Sequence, residues 1–590
     1  MAVSQTSLQY ATGIKMIKKL VSCIGEYKKY AILTPFVMIG EVLMEILIPF
    51  VMASMIDKGI LGDGGVSYIA KMGALMVVMA LISMMFGALG AKFGALAGMG
   101  FAKNLRKRLF DKVQDFSFSN VDKFSTPSLV TRLTTDITNT QNAFIMLIRM
   151  AARAPIMLIG ATVMAITINV KLSSVFLIVI PILAIVLGLI ISNAHPRVVA
   201  MLGLYDKLNS DVQENLVGIR VVKAFVREKQ EIKKFEESAD AVRKAQLFAE
   251  KIIILNGPVM QFCMYACMVA ILWFGGNMVI DGSFEIGQLS SFINYISQIL
   301  MSLMMLSMIF IMIIVSRASV LRIIEVLDED IDIKDSATGN NLQVKDGSIE
   351  FRQVGFSYAK DKENLTLAEV NFKIPSGETI GIIGGTGSSK TTLVQLIPRL
   401  YDVLEGEVLV GGQNVKNYPL ETLRNEVAMV LQKNVLFSGT IRDNLKWGKE
   451  DATEEEIIEA CKAAQAHDFI MSFPDGYDTD LGQGGVNVSG GQKQRLCIAR
   501  ALLKQPKIII LDDSTSAVDT ATDQKIRQAF REKLKDTTTI IIAQRISSVS
   551  DADKVLVLDD GKINAFAAPD ELMQNNEIYR EVYESQQKGA

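Results

Sequence analysis

The chain has 590 residues, half of them hydrophobic and 21% charged, with a mean hydropathy of +0.30. That much apolar sequence exceeds what soluble cores need and excludes intrinsic disorder. Lys+Arg 61 against Asp+Glu 63 leaves no global field that would mark a nucleic-acid binder, and five scattered cysteines with two histidines give neither a disulfide framework nor zinc-ligand spacing.

The start, MAVSQTSLQYATGIKMIKKL, lacks the apolar run and small-residue cleavage site of a signal peptide. Lys15 to Lys29 reads as an amphipathic elbow helix lying in the headgroup region. Six stretches then approach the ~20 apolar residues that a membrane-spanning helix needs. They run from Tyr30 to Ile56, Met72 to Ala91, Ala154 to Val170, Leu172 to Ala194, Ile252 to Ile280 and Ile286 to Val315. The last two carry no ionisable charge, and the turn Asp281-Gly282-Ser283-Phe284-Glu285 joins them into a hairpin. Basic residues crowd the segment before the first span, the connection from Lys103 to Arg132 and the connection from Arg197 to Lys251. The positive-inside tendency therefore places both termini and both long connections in the cytoplasm, in a multi-pass cytoplasmic-membrane protein. Helical periodicity in those connections extends spans two to five beyond the bilayer as rods.

Two features of the spans bear on cargo. Glu41 and Glu45 lie one turn apart in the first span, where carboxylates serve either as contacts for cationic substrates or as bonds within the bundle. Met301, Met305 and Met308, with Met304 and Met312, share one face of the sixth. Such a stripe suits a hydrophobic cavity or interhelical packing.

Of 29 methionines only Met429, Met471 and Met573 lie beyond residue 330, and the charged, turn-rich DEDIDIKDSATGNNLQVKDG marks a change of solvent. The expected organisation is a transmembrane domain at 1–330, a linker at 331–345 and an α/β domain at 346–590. In the last of these the strand TIGII runs into Gly384-Gly385-Thr386-Gly387-Ser388-Ser389-Lys390-Thr391-Thr392 and an apolar helix. A glycine-rich turn between strand and helix aims backbone N–H groups at phosphate oxygens. Lys390 is placed for the β- and γ-phosphates of ATP and Thr391 for Mg²⁺. Ser389 stands where the P-loop pattern has its last glycine, and its Cβ crowds a position of close backbone approach. The buried run Ile508-Ile509-Ile510-Leu511 ends in Asp512-Asp513, an acidic pair at a strand's carboxyl end where Mg²⁺ and an attacking water are managed.

Between them stands Asn487-Val488-Ser489-Gly490-Gly491-Gln492-Lys493-Gln494-Arg495. Together with Gln432 in VLQKNVLF, LDDSTSAVD and the strand ending AQR, these motifs resemble the ATP-binding cassette (ABC) family, and six spans before one cassette resemble its exporter branch. The resemblance implies that Tyr358 stacks on adenine and that Gln432 touches Mg²⁺. It implies that Ser489, Gly490, Gly491 and Gln492 cap ATP held by another cassette, so a one-cassette chain must dimerise. It places short coupling helices near Ser119–Pro127 and Ala224–Glu231, surfaces that also read as ordinary solvated helix. The family's water-polarising glutamate and γ-phosphate histidine are Asp513 and Gln544 here. Aspartate is one methylene shorter, and Gln544 cannot carry an imidazolium's charge. This pattern resembles the degenerate subunit of bacterial heterodimeric multidrug exporters. It implies a partner half-transporter that supplies the Glu and the His, membrane lipid around the spans, small hydrophobic or amphipathic substrates, and weak ATPase activity for the chain alone. Lipid or peptide export, or a non-pumping ATP-gated complex, are the alternative readings.

Overall fold

The computed structural model describes residues 16–335, 342–514 and 517–588, so Lys15 and the middle of the linker lie outside the described residues. By packing, the chain divides into two units. One comprises 125–329 with the described part of 1–114; the other comprises the residues from Asp330 onward together with Asp115–Phe124.

The described residues of the first unit form helices joined by short turns. The six apolar segments fall within Gly25–Ile60, Gly65–Gln114, Thr126–Ile168, Val170–Val217, Glu228–Ile280 and Ile286–Asp328. At ~1.5 Å per residue, a rod such as the 50-residue Gly65–Gln114 is more than twice a bilayer core in length. Before the first span, 16–22 are helical and Gly25–Tyr27 forms one 3-10 turn. Arg108 donates to the Ser22 hydroxyl at 2.7 Å and Lys19 pairs with Asp328, so this segment is tied to the second and sixth helices. The first helix packs on the second and third, and the sixth packs on the third. Phe176 stacks on Phe292 at 5.4 Å within a core that includes Val42, Met157, Leu183 and Ile271.

Pro49, inside the first helix, shapes the contact with the sixth. Proline has no N–H, so the carbonyl four residues earlier, that of Glu45, loses its helical donor. Gln298 of the sixth helix donates to that carbonyl at 3.1 Å. Tyr295 donates to the Ile46 carbonyl at 2.9 Å, and Ser291 to that of Pro49 at 2.5 Å. Positions 291, 295 and 298 form one face by helical spacing, and their polar tips line up along the broken stretch. In an apolar surround an unmet carbonyl is costly, which is why a neighbouring helix supplies the donors.

The second unit is an α/β fold with two sheets. Strands β1 (Ile349–Phe356), β2 (Leu367–Ile374), β4 (Glu405–Val410) and β5 (Gln413–Asn414) form an antiparallel sheet ordered β2-β1-β4-β5. The larger sheet is ordered β10-β9-β3-β8-β7-β6, built from β3 (Thr379–Ile383), β6 (Val427–Val430), β7 (Ile508–Asp512), β8 (Thr538–Ile542), β9 (Lys554–Asp559) and β10 (Lys562–Ala567). All its pairings are parallel except β9 with β10. Every residue of β7 and β8 is buried, as expected of parallel strands covered on both faces. Alternate residues feed opposite cores: Ile508 and Ile510 join Ile380, Ile382 and Leu556, whereas Ile509 and Leu511 join Val555 and Val557. With β8 between β3 and β7, the carboxyl ends of these three strands come together at one edge of the sheet. The architecture is the helical membrane domain followed by an α/β cassette that the sequence implied.

The helix boundaries at the tips of the long connections differ from expectation. The first tip is helical over Phe118–Phe124, and Ser125, at φ 53°, breaks it from Thr126–Thr131. The second has a short helix at Ile219–Ala224 and a turn with Val226 at φ 53°, so the expected 224–231 straddles a break rather than one helix.

If Gln298 serves the carbonyl that Pro49 frees, Gln298→Leu will lower the thermal unfolding midpoint, at a cost of about 1–3 kcal/mol. Adding Pro49→Ala, which restores an N–H to the first helix, will recover much of the loss; a double variant worse than the single one contradicts the assignment.

Candidate nucleotide site

The glycine-rich turn leaves β3 at Gly384, whose φ is 156° and where a Cβ would lie 2.1 Å from the Leu558 carbonyl oxygen. No other residue fits there. Lys390 opens the helix Lys390–Gln395 and folds its ammonium back into the turn, donating to the carbonyls of Gly384 at 2.9 Å and Gly385 at 2.8 Å and to Ser388 Oγ at 3.3 Å. Burial holds its pKa below the ordinary lysine value, against the pull of Asp512 and Asp513. Ser389 caps this helix at φ 70°, ψ 25°, a left-handed conformation. The position favours glycine for its backbone angle, a reason the sequence pattern alone does not give.

Thr391 Oγ1 donates to Asp512 Oδ1 at 3.0 Å. Asp512 is 2% exposed, and its other oxygen is buried without a hydrogen-bond partner. Burial raises its pKa, with Asp513 adding to the rise. An orphaned carboxylate oxygen beside a threonine hydroxyl is a hard-oxygen donor set that fits Mg²⁺. Asp513 follows at φ 49°, outside the strand, and its Oδ2 accepts from Gln544 Nε2 at 2.8 Å. Burial raises its pKa as well, while hydrogen bonds from Gln432 and Gln544 oppose the rise. The turn after β3, the acidic pair at the end of β7 and the residues after β8 therefore meet as the strand order requires.

Tyr358 lies just past β1, half exposed, with its hydroxyl 2.9 Å from Thr392 Oγ1 on the turn's helix. Its ring stands perpendicular to Tyr401 at 5.2 Å. Tyr401 in turn donates to Asp122 Oδ2 at 2.7 Å, and Phe118 packs edge-on against it. Ser117 and Ser119 each donate to Asp332 at 2.6 Å. Segment 115–124 is thus bonded into the second unit beside the tyrosine pair. Tyr401 and Asp332 carried no motif of their own, and only the contact reveals them.

Ser489 caps the 14-residue helix Gly490–Leu503: Gln492 N–H donates to Ser489 Oγ at 3.3 Å, and Ser489 N–H donates to Gln492 Oε1 at 2.8 Å. This capping box leaves Ser489 and Gly490 exposed at a helix N-terminus, an arrangement suited to an anion.

In the first unit, Arg153 reaches Glu41 at 2.5 Å with one guanidinium nitrogen and both oxygens of Glu45 at 2.8 and 2.9 Å with the other. The sequence reading began the third span at Ala154 and so missed this arginine by one position. Glu41 Oε2 stays buried without a partner. The methionine stripe does not pack inside the chain: Met301 is 58% and Met308 53% exposed, with Met304 exposed and Met305 half-buried.

Residues 31–304 match the family described as the ABC transporter transmembrane region, and residues 367–516 match the ABC transporter family. The uncharacterized ABC transporter ATP-binding protein YfiB of Bacillus subtilis is 37% identical, over 97% of this chain and 98% of its own length. The putative multidrug export ATP-binding/permease protein YgaD of the same species is 32% identical, over 96% and 99%. An ATP-dependent lipid A-core flippase of Desulfotalea psychrophila is 32% identical over 83% of this chain and 85% of its own length. The fold matches the structure of a bacterial Atm1-family ABC exporter with ATP bound, at a TM-score of 0.83 and 26% identity, covering 95% of this chain and 99% of that one.

Ser389→Gly will relieve a left-handed serine and raise stability by about 1 kcal/mol, read as a higher unfolding midpoint; no gain contradicts the strain. Lys390→Ala will weaken ATP binding at least tenfold in equilibrium titration, because the loop loses the cation that faces its phosphate cradle.

Proposed function

Because the chain belongs to the ABC transporter family, as a half-transporter of its exporter branch and a multi-pass membrane protein, we propose that it is the degenerate-site subunit of a heterodimeric exporter. Its own pocket binds ATP. Gly384, Thr386, Gly387, Ser388 and Ser389 present backbone N–H groups to the phosphates, Lys390 neutralises them, and Tyr358 offers a ring to adenine. Thr391, Asp512 and Gln432 would hold Mg²⁺, which would supply neutralising charge to the phosphates.

The observation that carries the proposal is the 2.8 Å hydrogen bond from Gln544 to Asp513. A water-activating carboxylate needs to reach its water. Asp513 is a methylene shorter than glutamate and spends one oxygen on a neutral amide. Misplacing a reacting group by about 1 Å costs on the order of 10²-fold in rate. The helix N-terminus at Ser489, Gly490, Gly491 and Gln492 has no such defect, and it serves ATP held by the partner. The partner's glutamate and histidine then complete one competent site, while this chain's pocket holds ATP for long periods.

Cargo follows from the spans and the relatives. Relatives named for multidrug export and for lipid A-core flipping favour amphipathic molecules with a large apolar part. The exposed methionines at 301, 304 and 308 offer an adaptable apolar wall. Glu41 and Glu45, drawn together by Arg153, supply the polar end. The basic connections favour cytoplasmic termini, and membership of the exporter branch favours outward transport across the cytoplasmic membrane.

Purified alone in nanodiscs, the chain will hydrolyse ATP slowly and without cooperativity. The double variant Asp513→Glu, Gln544→His will raise that rate at least tenfold. Brisk, cooperative turnover by the unaltered chain would overturn the proposal.

A further inference from the structure

Beyond the end of β8 the backbone runs out of sheet partners. Ala543 still donates to the Ile382 carbonyl, but residues 544–546 lead away into the 3-10 turn Ile546–Ser548. Their polar groups are met from an unexpected quarter. Gln586 Nε2 donates to the Gln544 carbonyl at 2.7 Å, and Ile546 N–H donates to Gln586 Oε1 at 2.8 Å. One primary amide thus imitates a neighbouring strand, meeting a carbonyl and an N–H two residues apart.

Gln586 belongs to the helix Glu577–Lys588. That helix is firmly seated. Tyr579 is 1% exposed, and Ile578, Val582 and Tyr583 pack on the same core as β7 and β9. Tyr579 N–H donates to Asn576 Oδ1 at 2.8 Å, and Asn576 Nδ2 donates to Asn564 Oδ1 of β10 at 2.6 Å. From the other end, Gln544 Nε2 reaches Asp513. A short series of hydrogen bonds therefore joins the last helix of the chain to the carboxylate after β7.

We propose that the helix Glu577–Lys588 is a latch on the nucleotide pocket, with Gln586 as the positioning residue that fixes Gln544. The inference rests on the reading of Gln544 as the residue that meets the γ-phosphate. Gln586 bonds to the backbone at 544 and 546 and so sets the position from which Gln544 projects. With the latch closed, Gln544 stays within reach of the γ-phosphate end of the pocket. With it open, Gln544 swings on an unsupported backbone. A nucleotide with a γ-phosphate feels the difference, and one without does not.

The test uses the full-length chain in nanodiscs, loaded with labelled AMP-PNP or ADP and chased with unlabelled nucleotide. Gln586→Ala and Gln586→Leu are each expected to shorten AMP-PNP residence at least fivefold and to leave ADP residence within twofold. Gln544→Ala is expected to do the same, and Gln544→Ala with Gln586→Ala to match Gln544→Ala alone. Equal loss of AMP-PNP and ADP, or two effects that multiply, would show general loosening and overturn the latch. If Gln544→Ala shortens AMP-PNP residence and the Gln586 variants do not, the latch fails and the reading of Gln544 stands. If Gln544→Ala leaves AMP-PNP residence unchanged, both fail.

Discussion

The position of β8 between β3 and β7 is the constraint on which the nucleotide site depends. Each strand leads into one part of the site at its carboxyl end: the glycine-rich turn from β3, the acidic pair from β7 and Gln544 from β8. Parallel strands stand ~4.8 Å apart, so a side chain after β8 is within hydrogen-bond reach of one after β7. The bond between Gln544 and Asp513 is the product of that spacing. It makes the two departures from the family pattern a single physical unit. A neutral amide at 544 has a carboxylate to hold, and a short carboxylate at 513 has a donor to hold it.

The membrane unit solves a different problem with the same economy. Its helices carry few polar groups in their apolar stretches, and several of them are bonded across helices. Gln298, Tyr295 and Ser291 meet the carbonyls around Pro49, and Arg153 draws Glu41 and Glu45 together. Lower down, Arg322 grips the fully buried Asp136 with two bonds, and Arg132 donates to the Arg322 carbonyl at 2.7 Å. Bonds of this kind tie the first, third and sixth helices together. Segment 115–124 is covalently part of the run between the second and third helices, yet its side chains bond to Asp332 and Tyr401. Tyr401 packs against Tyr358, so this segment and Tyr358 share a neighbour.

Much of this was legible in the sequence, and the reason is chemical. Apolar runs of span length, a strand–turn–helix with Lys390-Thr391, and an acidic pair after Ile508–Leu511 each follow from local rules. Long-range pairs do not. Arg153 sat one position outside an apolar run, and nothing local tied it to Glu41 and Glu45, 112 and 108 residues away. Gln586 looks like any polar residue on an amphipathic helix until the sheet places residues 544–546 beside it. Ser389 was visible as a departure, but its left-handed backbone was not, because conformation at that position is imposed by the turn. The break at Val226 escaped for the opposite reason: helical periodicity continues through it, and only the tip's geometry forces the turn.

If the two nucleotide pockets of the working assembly are unequal, native mass spectrometry of the assembly, isolated from its own membrane during ATP turnover, will find one copy of this chain with one different half-transporter, carrying intact ATP alongside ADP. Two copies of this chain, with ADP in both pockets, would rule that inequality out.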